Sequence, residues 1–233
     1  MTDTARKTLF GYSPRVDAAL RFAAAAHHED VRKGTQIPYV MHPFHVGLIL
    51  DRHGFEEDVV IAGILHDTLE DPKYEKESVQ GRLRAVCPLL TDAPASQTGF
   101  KGAVVDYLTS GFGPAVAQLV SHVSEEKTDE TGTPIPWKVR KTEQLRRLRE
   151  ATPEHCAVKA ADCLHNLRSM IRDIQTDGAT SMERFSGGPE GTLWFHSEVT
   201  RIVAELLGSG HPLAAELNEA RREFEECLAA ATP

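Results

Sequence analysis

The 233-residue chain is poor in the features that mark structural zinc sites, membrane spans and nucleic-acid-binding surfaces. It has only four cysteines, and no two of them form a C-x-x-C pair, so neither a zinc ribbon nor a disulfide framework is indicated. No apolar run approaches the roughly 20 residues that span a bilayer, and residues 1–4 lack a signal-peptide pattern. The net charge of −8 argues against a nucleic-acid partner. These absences predict a cytoplasmic protein with no nucleic-acid and no membrane partner. They leave the oligomeric state open, a homo-oligomer included.

Aromatic residues make up only 6% of the chain, and alternating strand patterns are scarce. Apolar residues recur with helical spacing instead, which predicts an all-α fold with a single bundle of about 8–10 helices. We expect one domain over residues 1–233, with an insertion at about 80–113 and a flexible C-terminal tail from residue 228. Glycine and proline predict loops at 31–39, 88–99, 128–136 and 182–191. The helices are predicted at roughly 14–29, 43–53, 56–70, 76–87, 99–109, 113–124, 137–150, 154–175, 192–208 and 212–229.

The most informative feature of the chain is the pair His66-Asp67 in the string I-L-H-D-T-L-E-D, residues 64–71. We expect this string to continue the apolar helix that precedes it. Helical spacing then places His66 next to Glu70 and Asp67 next to Asp71, because residues four apart share a face. Burying unpaired charges costs several kcal/mol, so a bound cation is the natural compensation. The pattern therefore indicates metal-assisted hydrolysis.

Two further strings carry residues that could complete a metal site. His42 precedes Pro43 in Y-V-M-H-P, where the proline is expected to fix the start of a helix. Asp162, Asn166 and Ser169 recur at i, i+4 and i+7 and form a polar stripe on an otherwise apolar helix. Two histidines and two aspartates would make a mixed nitrogen and oxygen site. Such a site suits Mn²⁺ or a similar divalent ion better than a thiolate-selecting zinc site, although ligand type does not separate Mn²⁺ from Fe²⁺, Co²⁺ or Mg²⁺.

Four strings in this order resemble a known family of hydrolases. They are Phe22 to Pro43, the H-D-T-L-E-D string, S-E-E-K-T at residues 124–128 and V-K-A-A-D-C-L-H-N-L-R-S at residues 158–169. Together they resemble the hydrolase domain of RelA/SpoT homologues, which are HD-domain metal-dependent phosphohydrolases, and the resemblance runs from about residue 14 to 208. It implies Mn²⁺-dependent hydrolysis of guanosine tetraphosphate or pentaphosphate (ppGpp or pppGpp) to GDP or GTP and pyrophosphate. Long members of the family continue into synthetase and regulatory domains, so this chain is expected to be a stand-alone small alarmone hydrolase.

The resemblance also implies a role for individual residues. It assigns the Mn²⁺ ion to four ligands, His42, His66, Asp67 and Asp162. It assigns the orientation or deprotonation of the attacking water to the catalytic pair, Glu70 and Asp71. Five residues are implied to contact the substrate: Arg32 and Lys33 at the guanine or a nearby phosphate, Lys127 near the pyrophosphate, and Asn166 and Ser169 at the sugar and base. His27 is expected to be structural or to support the ligands from behind, and not to bind the metal. Lys138, Arg140 and Lys141 could add phosphate contacts, although two of the three are expected to lie on a solvated helix face.

Two alternatives to this function stay open at the level of sequence. The protein could be an HD phosphohydrolase for another phosphorylated nucleotide, such as the 2′-phosphate of NADPH or an adenosine alarmone. It could also be a catalytically silent alarmone binder. The R-K loop and the N-x-x-S stripe favour the guanosine substrate over other nucleotides, and the presence of every ligand and of the catalytic pair disfavours a silent binder.

Overall fold

The computed structural model describes residues 12–70, 73–129 and 131–231, and these residues form ten α-helices joined by turns and loops. Within them, β pairing is confined to two isolated bridges, Val31 with Pro38 and Thr128 with Pro134, so the predicted all-α class is confirmed. None of the helices in this part of the chain has the length and apolar character needed to cross a membrane. In chain order the helices are α1 Pro14–Ala26, α2 Met41–Arg52, α3 Glu57–Leu65, α4 Glu77–Val86, α5 Gln97–Tyr107, α6 Pro114–Val123, α7 Trp137–Arg149, α8 Pro153–Asp177, α9 Gly188–Leu207 and α10 Pro212–Ala231.

Local sequence explains where several helices begin. Proline occupies the first turn of α1, α6, α8 and α9, a position where its missing N–H costs no hydrogen bond. In front of α1, the Ser13 hydroxyl accepts a hydrogen bond from the backbone N–H of Val16 at 3.3 Å. Because these start signals depend on local sequence alone, the predicted starts of α1, α6 and α8 lie within one residue of the observed ones.

The short helix α3 forms the centre of the apolar core. All seven residues from Val59 to Leu65 are buried, and α3 packs against α1, α2, α6 and α8. Helix α8, which has 25 residues, also contacts α2, α9 and α10. The polar groups that lie at the end of α3 and in the middle of α8 are therefore held inside the core.

Two glycines allow α2 and α3 to approach each other closely. A Cβ atom at Gly47 of α2 would lie 2.5 Å from Ile64 Cγ1, and one at Gly63 of α3 would lie 2.4 Å from Leu50 Cδ1. Any larger residue at these positions would push the two helices apart. The close contact brings the first turn of α2, which carries His42, next to the last residue of α3, which His66 follows directly.

Helix α3 ends at Leu65, so the prediction of one helix over 56–70 is wrong at its C-terminal end. Side chains take the carbonyls that a continuing helix would use. His66 Nδ1 lies 2.7 Å from the Gly63 carbonyl oxygen, and the Thr68 hydroxyl donates to the Leu65 carbonyl at 2.6 Å. Residues 66–70 therefore form a turn, and the helical spacing expected for His66 and Asp67 does not apply to them.

The turn after α3 is fixed from behind by a chain of buried hydrogen bonds. The hydroxyl of Tyr74, which is buried, donates to the Thr68 carbonyl. The Gln80 amide donates to the carbonyls of Tyr74 at 2.7 Å and Ala95 at 2.6 Å. The insertion predicted at 80–113 thus contributes directly to the support of this turn. It contains α5, a 3₁₀ turn at Pro88–Leu90 and a π-helical turn at Leu108–Phe112.

The structure is more ordered than predicted in two other places. The segment 182–191, predicted to be a loop, contains the end of a 3₁₀ segment at Ala179–Arg184 and the start of α9 at Gly188. Helix α10 continues to Ala231 with Leu228 buried, so helix replaces the predicted tail from 228 to 231. The division into one domain with an insertion stays a prediction.

Replacing Gly47 by alanine is expected to destabilise the protein. Overpacking against Ile64 costs about 1–3 kcal/mol, which outweighs the gain of at most about 1 kcal/mol from alanine's helix propensity. Gly102→Ala in α5 is the matched control, because nothing lies within 4 Å of its Cβ position, and this variant should be slightly more stable than the parent. Urea unfolding midpoints measure both effects. Equal stabilisation by the two substitutions would contradict the close contact between α2 and α3.

Candidate metal centre and cavity

The four predicted metal ligands converge on one buried point between α2, the turn after α3, and α8. His42 Nε2 lies 3.3 Å from Asp162 Oδ1 and 3.6 Å from Asp67 Oδ2. His66 Nε2 lies 3.1 Å from Asp67 Oδ2 and 3.9 Å from Asp162 Oδ1. The donor atoms of His42, His66 and Asp162 all lie within 4.8 Å of one another. Three segments far apart in sequence therefore bring two imidazole nitrogens and two carboxylates together.

Neighbouring groups orient the two carboxylates. Tyr39, which ends the loop before α2, donates its hydroxyl to Asp67 Oδ2 at 2.7 Å. The Asp162 carboxylate accepts hydrogen bonds from Lys159 Nζ at 2.8 Å and from the Asn166 amide at 2.6 Å. Because Lys159 and Asn166 lie one turn to either side of Asp162 on α8, the helix itself sets this arrangement.

The charges at this point compensate each other strongly. Burial alone would lower the pKa of His66, but the Asp67 and Asp162 carboxylates outweigh burial and raise it to about 9. Burial alone would raise the pKa of Asp67, but His66 and His42 hold it well below its ordinary value. The pKa of Asp162 is likewise lowered, by Lys159 and the same two histidines, against burial. The two carboxylates thus create a place where positive charge is strongly favoured.

The residues present fit a divalent cation. His66 uses Nδ1 for the Gly63 carbonyl, while its buried Nε2 has no hydrogen-bond partner and faces the two carboxylates. A histidine fixed by a backbone carbonyl through one nitrogen and presenting the other is the usual arrangement of a metal-ligating imidazole. Two nitrogens and two carboxylate oxygens are ligands for a divalent transition metal.

One member of the predicted catalytic pair can be located. Glu70 is mostly buried, and its carboxylate accepts the backbone N–H of Glu125 at 3.0 Å and lies 3.3 Å from Lys127 Nζ. It lines the same cavity as the four ligands. Asp71 lies outside the described residues. The structure therefore places Glu70 beside the metal centre.

A cavity of about 500 Å³ opens in front of the metal centre. Its walls include all five residues predicted to contact the substrate, Arg32, Lys33, Lys127, Asn166 and Ser169. Arg32 donates a hydrogen bond to Asn166 Oδ1 at 2.8 Å, which ties the loop before α2 to α8. The Ser169 hydroxyl donates to the His165 carbonyl at 2.8 Å. A volume of this size is typical of small-molecule sites.

The cavity wall is cationic although the chain is acidic. Among the described residues that line it, eight are Lys or Arg and five are Asp or Glu, whereas the whole chain has a net charge of −8. Its cationic residues are Arg32, Lys33, Lys127, Arg140, Lys141, Lys159, Arg172 and Arg184. Cations concentrated in a cleft of an acidic protein indicate an anionic ligand.

Sequence reasoning predicted the basic residues of α7 only in part. Two of the three were expected on a solvated face, but both Arg140 and Lys141 line the cavity, are mostly buried and pair with Glu125 at 2.7 Å and 3.2 Å. Lys138 instead lies over the Trp194 ring and does not line the cavity. Lys159 could have been found, because it precedes Asp162 by three residues on the same helix face. The positions of Arg140 and Lys141 depend on how α7 packs, which no local pattern reveals.

The pKa values of two buried cavity lysines, Lys141 and Lys159, shift in opposite directions. Burial lowers the pKa of Lys141, and the nearby Lys159 ammonium lowers it further. Burial also disfavours the charge on Lys159, but the Asp162 carboxylate outweighs it and raises the pKa of Lys159 above its ordinary value. Lys159 is therefore a fixed cation beside the metal centre.

Comparison with known proteins identifies the family of the chain. A family model described as HD domain matches residues 19–184. The mouse guanosine-3′,5′-bis(diphosphate) 3′-pyrophosphohydrolase MESH1 is 31% identical over 68% of this chain and 70% of its own length. The human MESH1 is 31% identical over 66% of this chain and 68% of its own length. A pyrophosphohydrolase of the same name from Aquifex aeolicus is 29% identical over 68% of this chain, which spans only 18% of that protein.

Two solved structures share the fold. One is a metazoan orthologue of SpoT that is described as hydrolysing ppGpp, with a TM-score of 0.63 and 24% identity over 94% of this chain and 98% of that one. The other is a Listeria monocytogenes protein with a TM-score of 0.58 and 24% identity over 81% of this chain and 99% of that one. At 24% identity, the two structures support the fold alone. The family follows from the sequence matches. The chain belongs to the HD-domain family and, within it, to the branch of pyrophosphohydrolases that includes the MESH1 proteins.

Proposed function

We propose that this protein hydrolyses guanosine 3′,5′-bis(diphosphate), ppGpp, and its pentaphosphate analogue, and that it releases pyrophosphate from the ribose 3′ position to leave GDP or GTP. The names of the MESH1 relatives supply the substrate class. The observation that carries the proposal is the cationic cavity of about 500 Å³ that contains the candidate metal centre. Such a cavity suits a nucleotide with phosphate groups on two sides of its ribose.

Cations of the cavity are found on both sides of Asp162 along α8. On one side, Arg32 is bonded to Asn166. On the other, Lys159 is electrostatically coupled to Lys141 and Glu70. Asn166 follows Lys159 by seven residues, which corresponds to about 10 Å along the helix axis at a rise of 1.5 Å per residue. This separation suits a substrate whose two diphosphates lie on opposite sides of the sugar, with the scissile one at the metal centre.

We propose Mn²⁺ as the metal, held by His42, His66, Asp67 and Asp162. When bound, the ion supplies a Lewis acid that polarises the scissile phosphate and lowers the pKa of a water. The protein orients its own ligands in advance: the Gly63 carbonyl holds His66, and Lys159 and Asn166 hold Asp162. Such fixed orientation limits the reorganisation needed during the reaction.

Glu70 is assigned the role of taking a proton from the attacking water. The backbone N–H of Glu125 fixes one of its carboxylate oxygens, and Lys127 lies beside the other. The carboxylate is therefore held in one orientation beside a cation. Asp71 is proposed as its partner from the sequence alone.

The substrate contacts are assigned by position in the cavity. Arg32 lies 5.7 Å from the centre of the Tyr39 ring while bonded to Asn166, so its guanidinium plane is held at the cavity wall, where a guanine could stack on it. Lys33, Asn166 and Ser169 are assigned to the same side of the nucleotide, and Lys127 to the pyrophosphate. The cytoplasmic location and the absence of nucleic-acid and membrane partners stay predictions. The oligomeric state stays open.

Metal-stripped protein is expected to be inactive on ppGpp and to regain activity with Mn²⁺. The products should be GDP and pyrophosphate in equal amounts, quantified by anion-exchange chromatography. Asp67→Ala should abolish both Mn²⁺ binding and turnover, because it removes one of the four ligands. If the Mn²⁺-loaded protein released no pyrophosphate, the substrate assignment would be wrong. Orthophosphate release from NADPH would then identify the other phosphohydrolase activity, and tight ppGpp binding without turnover would identify a silent binder.

Glu70→Gln is expected to lower kcat by about 10²- to 10⁴-fold, the usual contribution of a general base. Mn²⁺ affinity should stay unchanged, because the amide keeps an acceptor for the Glu125 N–H and Glu70 is not among the four ligands. Glu126→Gln is the matched control, since Glu126 is exposed and does not line the cavity. Steady-state kinetics together with Mn²⁺ titration separate the two effects. A Glu70→Gln enzyme with a near-normal kcat would remove Glu70 from the catalytic role.

Lys127→Ala is expected to raise KM for ppGpp by about 10-fold, the lower end of the range for a charge-assisted hydrogen bond, because Lys127 is half-exposed. Lys138→Ala provides the comparison, as Lys138 lies on Trp194 outside the cavity, and its KM should match the parent. The ratio of the two KM values is the measurement. Equal values would place the pyrophosphate elsewhere in the cavity.

A further inference from the structure

His165 lies directly behind one of the candidate metal ligands. It follows Asp162 by three residues on α8, and its Nδ1 lies 2.8 Å from Nδ1 of His42. Its ring also stacks against His45, with ring centres 4.9 Å apart. His42 is buried, and its ring also contacts those of Tyr39 and His66, so His165 is one of the groups that orient it.

A hydrogen bond between two imidazole nitrogens needs one donor and one acceptor. His42 turns its Nε2 toward the carboxylates of Asp67 and Asp162. For Nε2 to offer a lone pair to a metal ion, the ring proton of His42 must sit on Nδ1. That proton then points at His165 Nδ1, which has to accept it.

We propose that His165 is a positioning residue that fixes the metal-binding tautomer and the ring orientation of His42 by accepting a hydrogen bond from its Nδ1–H. This inference rests on the metal site of the proposed function. His165 is not one of the four candidate ligands, although it lines the same cavity, and it acts through His42.

The second histidine of the centre provides an internal comparison. His66 directs its Nδ1 to the backbone carbonyl of Gly63 at 2.7 Å. A carbonyl oxygen can only accept, so the tautomer of His66 is determined by the backbone. The corresponding partner of His42 is the side chain of His165, which can be replaced by mutation. The role of the acceptor is therefore directly testable at His42.

The first test is the Mn²⁺ affinity of two substitutions at one position, measured by isothermal titration without substrate. His165→Leu removes the acceptor and should weaken Mn²⁺ binding by about 10- to 100-fold, the usual effect of losing such a partner. His165→Asn keeps an acceptor oxygen at the same distance from Cβ as Nδ1 and should bind like the parent. His45→Asn, which alters the stacked neighbour, should also bind like the parent. A folded His165→Leu protein with parental affinity overturns the inference.

A second measurement on the unmutated protein does not depend on whether the variants fold. In protein labelled with ¹⁵N-histidine and loaded with diamagnetic Zn²⁺, His42 should carry its proton on Nδ1. A scalar coupling through the hydrogen bond should connect this nitrogen to Nδ1 of His165. A proton on His165 Nδ1, or a His42 Nδ1 without one, contradicts the inference.

Failure of the inference can be told apart from failure of the proposed function. His42→Ala should greatly weaken Mn²⁺ binding if the metal site is correct. If His42→Ala leaves Mn²⁺ binding unchanged, the proposed metal site is wrong, and so is the role of His165. If His42→Ala weakens binding and His165→Leu does not, only the role of His165 is wrong.

Discussion

Two buried carboxylates at the centre of an apolar helical core are the constraint on which the rest of this structure depends. Asp67 and Asp162 face each other across His42 and His66, and burial of such charges is costly unless they are paired and hydrogen-bonded. The protein balances them with the Lys159 ammonium and with the Tyr39 hydroxyl. A divalent cation fits the same charge balance. A metal ion bound between the two carboxylates would therefore also reduce the free-energy cost of burying them in the core.

This constraint explains the architecture around it. The centre takes one group from the start of α2, two from the turn after α3 and one from the middle of α8, so three elements must meet at one point. Gly47 and Gly63 permit the close approach of α2 and α3. Tyr74 and Gln80 support the turn from behind. Residues that never face the cavity thus determine its geometry.

Sequence patterns predicted the helices well because apolar spacing and first-turn prolines are local signals. They failed at the end of α3, where His66 and Thr68 capture backbone carbonyls and stop the helix. For the site, the motif strings predicted residues that do come together in one cavity. They did not show which basic residues of α7 face the cavity, because no spacing rule relates α7 to the other elements.

Helix α8 carries Lys159, Asp162, Asn166 and Ser169 on one rigid element, so the distances between these groups are properties of the helix rather than of individual side chains. Each residue of an α-helix advances 1.5 Å and turns by about 100°. Substitutions along α8 change one contact at a time, but a single inserted or deleted residue between 159 and 169 would rotate part of the set away from the cavity. The length of this segment is therefore as much a part of the cavity's geometry as the side chains that it carries.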